Sequence, residues 1–331
     1  MSCLHRLTLG LGILLLAILL WKLGPSALLS QLQSLGWTWV PLILVEGGGE
    51  ALHVMAWRHC LSREHQRLPW LRIAMIRQAG MAFNYLTPTA HMGGEVVKGA
   101  LLGRGGGGVD AATGVIVGKL ALVLSQLLFV SGGSLLAMWM VKLPRGFLWG
   151  WAASTSIFAF GIVTFFMLQR KGKLGGVLRA LERRGLRGPL LQRTGRWLTD
   201  VDRHLEIFHR SRPGDLVRAM AWHVLGFSCG MVQAWLFLAW MGHQTPLQVG
   251  TAVFFLGAWF DVVGFIVPAG IGVQEGSRVL IFDTIGLTSL AGLAFGIALR
   301  ATKAFWALVG LLCYGVLLRG AGETRSADSG F

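Results

Sequence analysis

The sequence predicts an all-α integral membrane protein, with about six spanning helices plus two re-entrant or broken helical hairpins arranged as an inverted repeat. Three observations predict it. Of the 331 residues, 54% are hydrophobic and only 14% charged, with a mean hydropathy of +0.61; soluble domains carry roughly 25% charged residues. Basic and charge-poor connections alternate along the chain, as cytoplasmic and external loops do. Finally, Pro88 to Lys98 and Pro268 to Arg278 share the pattern P-x6-E-x2-[KR] with glycines between, and each interrupts an apolar segment. Each thus sets a helix-breaking proline seven residues before a carboxylate and ten before a cation.

Composition narrows the class further. Glycine, at 47 residues, is about twice its usual ~7% share, and small residues in a bilayer let helices approach closely or unwind. Fourteen tryptophans against two tyrosines make tryptophan the interfacial anchor. Cys3, Cys60, Cys229 and Cys313 are scattered without CxxC or zinc spacing, so neither a disulfide framework nor a metal site follows from them, and no cofactor is expected. The net charge of +15 fits basic cytoplasmic loops and not nucleic acid, since no aromatic-basic surface motif accompanies it.

Residues 7–23 form an apolar run behind His5 and Arg6, either a signal peptide or a first span. A span is favoured, because Trp21 and Lys22 stand where a cleavage region would be. Residues 37–57 are a second span, ending in Arg58, Arg63, Arg67, Arg72 and Arg77 with only Glu64 among them, a cytoplasmic signature. The first hairpin, 71–103, has apolar segments at 71–86 and 90–103 about a break at Tyr85 to Thr89. As helices these reach only ~21–24 Å against a hydrocarbon core of ~30 Å, so the pair is either a re-entrant hairpin or two tilted spans. After Arg104 and the flexible Gly105 to Gly108, residues 111–141 cross outward and 146–168 cross back.

Residues 170–213 hold twelve Lys or Arg against four acids, too polar to cross; this is the main cytoplasmic loop, expected to touch anionic lipid head groups. Residues 216–241 cross outward, 248–285 form the second hairpin, and 288–318 cross inward to Arg319. The expected organisation is one membrane domain over 1–319, a disordered tail over 320–331, and both termini in the cytoplasm. The first hairpin opens to the cytoplasm and the second outside. Inverted repeats with broken helices meeting near the midplane suit alternating access.

Unwound backbone at the breaks is tolerated only where protein or a hydrated cavity surrounds it. A half-helix starting after Pro88 or Pro268 turns its positive end toward a phosphate or carboxylate. Gly93, Gly94, Gly270 and Gly272 let a head group approach the backbone or serve close helix packing; Gln274 belongs to the same stretch. Asn84 satisfies freed backbone groups or binds substrate. Glu95 and Glu275 are costly in hydrocarbon and are the leading candidates; Lys98 and Arg278, one turn on, either pair with them locally or hold a lipid phosphate. Arg300, ~18 Å into its helix, is either neutralised by Glu46 or Glu50 or, as expected here, faces the space between the two hairpins and receives the anionic part of the lipid; Lys303 follows one turn later, and Asp261 also needs a partner or a proton. Lys119 is shallow enough to snorkel to the surface. Glu50-x2-His53 has the spacing of half a di-iron site, but its only counterpart, Glu206 to His209, lies in the basic loop. No P-loop, Rossmann fingerprint or nucleophile elbow appears in a suitable setting.

At Asn84-x3-Pro88, Gly93-Gly94-Glu95, the stretch Gly272 to Gly276, and Arg300 in the last span, the sequence resembles the membrane region of lysylphosphatidylglycerol synthase/flippase proteins, and within it the hopanoid-associated branch. Lys98 and Ala269 stand where many relatives are Arg-like and Gly-like. The resemblance implies a flippase-like membrane domain, with an aminoacyl-transferase domain in some members. The chain ends before such a domain, so synthase activity is not expected. The expectation is a multi-pass protein of the bacterial inner membrane that moves an amphiphilic lipid, phospholipid, polyprenyl phosphate or hopanoid-type, between leaflets. The alternatives are a lipid head-group transferase with Glu95 or Glu275 as base, or a non-catalytic partner that presents lipid to a separate lipid-modifying synthase. The oligomeric state does not follow from the sequence.

Overall fold

The computed structural model describes residues 18, 21, 25–87, 92–104, 107–141, 145–170, 189–242, 247–264, 267 and 270–328. Pro88, Pro268, nearly all of the expected 7–23 span and residues 171–188 of the basic loop lie outside this set. Among the described residues every regular element is helical: α1 (Pro25–Ser34), a 3-10 turn (Gly36–Thr38), α2 (Trp39–Cys60), α3 (Arg63–Gln66), α4 (Trp70–Leu86), α5 (Gly93–Leu102), α6 (Gly108–Met140), α7 (Arg145–Arg170), α8 (Pro189–Ser211), α9 (Pro213–Trp240), α10 (Leu247–Val263), α11 (Val273–Thr284) and α12 (Ser289–Asp328).

Among the described residues four stretches are long and apolar enough to cross a membrane, Gly108–Met140, Gly146–Met167, Pro213–Trp240 and Ser289–Arg319, and the pair Leu28–Ser34 and Gly36–Cys60, bent by 76°, makes a fifth if counted as one. The sequence predicts about six. The expected span at 37–57 is a helix, but Glu46, Glu50, His53 and three consecutive glycines lower its hydropathy so that it qualifies only within the bent pair. Large apolar side chains face outward on these helices, among them Trp139, Trp149, Phe160 and Leu312, as lipid contact requires.

Chemistry at the ends sets the helix boundaries. Pro213 opens α9, where its missing N–H costs nothing, and Asp215 complements the helix dipole in the first turn. Ser62 accepts the His65 N–H at 3.3 Å to start α3. Gly272, at φ +78°, turns the chain into α11 in a conformation that favours glycine, and its N–H donates to Glu275 Oε2 at 2.9 Å.

Two runs of elements correspond in order. The first is α2, α4, α5 and α6, of 22, 17, 10 and 33 residues. The second is α9, α10, α11 and α12, of 28, 17, 12 and 40 residues. In both, two short helices separate two long ones; α4, α5, α10 and α11 reach ~25, 15, 25 and 18 Å, less than the ~30 Å core. Packing follows the correspondence. α2 packs along α9, α4 lies against α12 as α10 lies against α6, and each short pair packs on itself and on the long helix that follows it. One apolar core gathers Phe237, Leu256, Phe282 and Phe295 of the second run; another gathers Trp57, Ile76, Leu101 and Val117 of the first.

The expected basic loop at 170–213 contains a helix. In α8, Val201, Leu205 and Phe208 are buried at helical spacing while Arg203, Ile207 and Arg210 are exposed, so its apolar stripe, with Asp202 buried beside it, packs on α6 and α7 while Arg203 and Arg210 face out. The high count of basic residues hides that stripe in the sequence. α12 also runs on to Asp328, through the stretch expected to be a disordered tail.

Candidate functional site

Each short pair closes on glycine. A Cβ on Gly94 would stand 1.9 Å from the Gly80 carbonyl oxygen, so α4 and α5 touch backbone to backbone. Asn84 bridges the pair: its Oδ1 accepts the Gly94 N–H at 2.8 Å and its Nδ2 donates to Glu95 Oε1 at 3.3 Å. It therefore satisfies one of the orphan donors at the start of α5, where Gly93 is the first residue. Glu95, buried, is paired with Lys98 and lies 3.5 Å from Lys119 on α6. Lys119 thus points inward, not to the surface as its shallow position suggested, because a buried carboxylate waits there. Lys98 also lies 5.5 Å from the centre of the Trp57 ring, a cation–π contact.

The second pair repeats this pattern with one exchange. Glu275, fully buried, is paired with Arg300 on α12. In each run, then, the carboxylate in the first turn of the second short helix is held by a cation of the following long helix, 24 and 25 residues on. Arg300 Nη2 also donates to the Gly270 carbonyl at 3.3 Å, and its own carbonyl accepts the Tyr85 hydroxyl at 3.4 Å, so it sits where α4 meets the second short pair. Its neutralising partner is Glu275, which corrects the expectation of Glu46 or Glu50. A local Glu275–Arg278 pair does not form. Arg278 turns instead to Asp261, with Nη1 and Nη2 each 2.8 Å from one carboxylate oxygen, and its Nη1 reaches the Gly257 carbonyl at 3.0 Å and Ser277 Oγ at 2.9 Å. A Cβ on Gly257 would stand 2.8 Å from the Arg278 guanidinium carbon, so glycine there makes room for the head. Gln274 is buried, and its Nε2 has no partner among the described residues.

Between the two runs lies a cavity of about 370 Å3. Five residues singled out by the sequence line it: Glu46 and Glu50 of α2, Asp261 of α10, Arg278 of α11 and Lys303 of α12. Arg77, His53, Gln126 and Gln233 complete its polar wall, while Phe227, Val253, Phe254, Phe295 and Leu299 form much of the rest. Glu95, Glu275, Asn84, Lys98 and Arg300 are not among the lining residues.

Arg77 corrects the reading that grouped it with cytoplasmic arginines. It is buried in the middle of α4 and paired with Glu50, a cost in low dielectric that the pairing offsets. Its place inside the apolar segment 71–86 was the available signal. His53 does not look toward a metal: its Nδ1 meets Nδ1 of His223 on α9 at 2.8 Å, and Gly226, whose Cβ would stand 2.7 Å from the ring, leaves space for it. Among the described residues no group of three His, Cys, Asp or Glu is placed to hold a metal ion. His223, Gln126 and Gln233 were not legible in the sequence, because a single polar residue on an apolar helix carries no mark of the face it occupies.

The cavity is a polar chamber with walls from both runs, lined by two arginine–carboxylate pairs that neutralise four of its charges. Such a chamber can desolvate and hold a polar group whose apolar attachments stay in the bilayer. Residues 6–310 match the family model described as lysylphosphatidylglycerol synthase TM region. No curated protein and no solved structure matches the chain.

Proposed function

The chain belongs to the lysylphosphatidylglycerol synthase TM-region family, and from that premise we propose that it is a flippase-like transporter moving an amphiphilic lipid, of phospholipid, polyprenyl phosphate or hopanoid type, between leaflets of a bacterial inner membrane. The observation that carries the reading is the polar cavity between the two runs, lined by α4 of the first short pair and by α10 and α11 of the second. We further read the two runs as an inverted repeat. The reciprocal packing, α4 on α12 and α10 on α6, and the matched pairs Glu95–Lys119 and Glu275–Arg300 support it, since a pseudo-two-fold axis would generate both. Rocking of one run against the other would open the cavity to either face. Glu95 with Lys98, and Glu275 with Arg300, then brace the tips of the short helices, while Glu46, Glu50, Arg77, Asp261, Arg278 and Lys303 meet the head group.

The test is reconstitution of the purified chain in liposomes with a panel of head-group-labelled lipids, following label exposure at the outer leaflet. Transport above that of empty liposomes, with the lipid recovered chemically unchanged, is the expected result. A modified head group would point instead to a transferase; absence of transport for every lipid would sink the reading.

A further inference from the structure

The cavity carries three cationic side chains, Arg77, Arg278 and Lys303, and three anionic ones, Glu46, Glu50 and Asp261. Four of the six are spent on each other. Glu50 is paired with Arg77, and Asp261 holds Arg278 through two hydrogen bonds of 2.8 Å. Glu46 and Lys303 remain. They line the same chamber from α2 and α12, and neither makes an ion pair among the described residues. The two charges attract each other across the chamber, and Gln233 hydrogen-bonds Glu46, but with no close ion pair between them each is only partly compensated, which is expensive in a membrane interior.

An occupant that lowers this cost must bring one charge of each sign. A head group with net negative charge satisfies Lys303 and leaves Glu46 facing added repulsion. A net cation does the reverse. The volume adds a bound: about 370 Å3 lies near the lower end of the ~300–1,000 Å3 typical of ligand pockets, enough for a head group but not for its acyl chains.

We infer that the cavity selects a lipid whose head group is a zwitterion, with an ammonium directed to Glu46 and a phosphate or carboxylate directed to Lys303. The inference rests on the lipid-transport reading and names the substrate class of that same site. Like charge rejects the alternatives more strongly than shape does.

Binding and transport are measured separately on the full chain with three probes: phosphatidylethanolamine, phosphatidylglycerol, and phosphatidylethanolamine acetylated on its amine, which keeps the phosphate and loses the cation. The expected result is binding of phosphatidylethanolamine about tenfold or more tighter than of either other lipid. Glu46→Gln should remove that preference while leaving phosphatidylglycerol binding unchanged or improved, and Lys303→Gln should weaken all three. Equal binding of the acetylated and free amine, tighter binding of phosphatidylglycerol, or retention of none of the three overturns the inference. Full competition by water-soluble glycerophosphoethanolamine at the affinity of the lipid also overturns it, since the ligand would then be a small solute. If Glu46→Gln does not yield folded protein, the comparison of the three lipids on the native chain still decides. Phosphatidylethanolamine that binds selectively but is not moved would remove the transport reading and leave the zwitterion site; phosphatidylglycerol moved in preference would do the opposite.

Discussion

Arg77 and Glu50 illustrate why an ionisable residue inside a membrane helix is informative only with its partner. Both side chains are about nine-tenths buried, with relative exposures of 8% and 11%, so removing one strands the other in a low-dielectric interior. Arg77→Ala is expected to cost about 3–5 kcal/mol, read as loss of monodisperse protein and a lowered unfolding temperature in detergent. Replacing both partners by apolar residues, Arg77→Met with Glu50→Leu, should restore folded protein, because no unpaired charge remains, yet should abolish transport if the pair shapes the head-group chamber. Equal yields of Arg77→Ala and the native chain would mean that the pair is solvated and forms no buried wall of the cavity. The same logic separates Glu275, enclosed by Arg300 and the Gly272 N–H, from Glu46, which lines the chamber without an ion pair among the described residues. Both read alike in the sequence as carboxylates in apolar segments.

At the scale of the element, the short pairs depend on backbone approach. Gly80 and Gly94 allow α4 and α5 to meet so closely that a methyl group on Gly94 would overlap the Gly80 carbonyl. Gly94→Ala should therefore force the pair apart and cost about 1–3 kcal/mol. Gly99→Ala, five residues along the same helix with nothing within 4 Å of its built Cβ, should be neutral or stabilise by about 0.5–1 kcal/mol through helix propensity. Thermal unfolding of the two variants side by side checks this; equal loss in both would show that glycine is needed throughout α5 for another reason. The glycines of the second pair act differently. Gly270 and Gly272 have positive φ and serve the turn into α11, so similar Gly-rich motifs do dissimilar local work.

For the whole molecule, the seam between α2 and α9 joins the two runs along their first helices. A Cβ on Gly49 would lie 3.3 Å from the Cβ of Cys229, close to the ~3.8 Å mean separation in disulfides, although the Gly226 carbonyl at 3.1 Å makes the fit tight. Gly49→Cys is expected to cross-link to native Cys229 on oxidation, shown by altered gel mobility that Cys229→Ser removes. If the runs rock about this seam, transport should stop in the oxidised protein and return on reduction. Unchanged transport in fully cross-linked protein would place the moving interface elsewhere.

Class and punctuation were legible in the sequence because they depend on local properties. Hydropathy marks what leaves water, and apolar length marks which helices can cross. The Glu and cation of each repeated motif lie in the first turns of a short helix, and charged residues within apolar segments announced that some buried polar site exists. Partner choice was not legible. Arg300 could have taken Glu46, Glu50 or Glu275, and Arg278 could have taken Glu275 or Asp261; which pairs form depends on helix rotation and packing between separate helices, here across 25 and 17 residues of chain, distances over which sequence spacing holds no geometric constraint. The cavity arises the same way. It is bounded by α2, α4, α6, α9, α10, α11 and α12, none of which encloses anything alone, so its position and its two remaining charges exist only once the two runs are packed together.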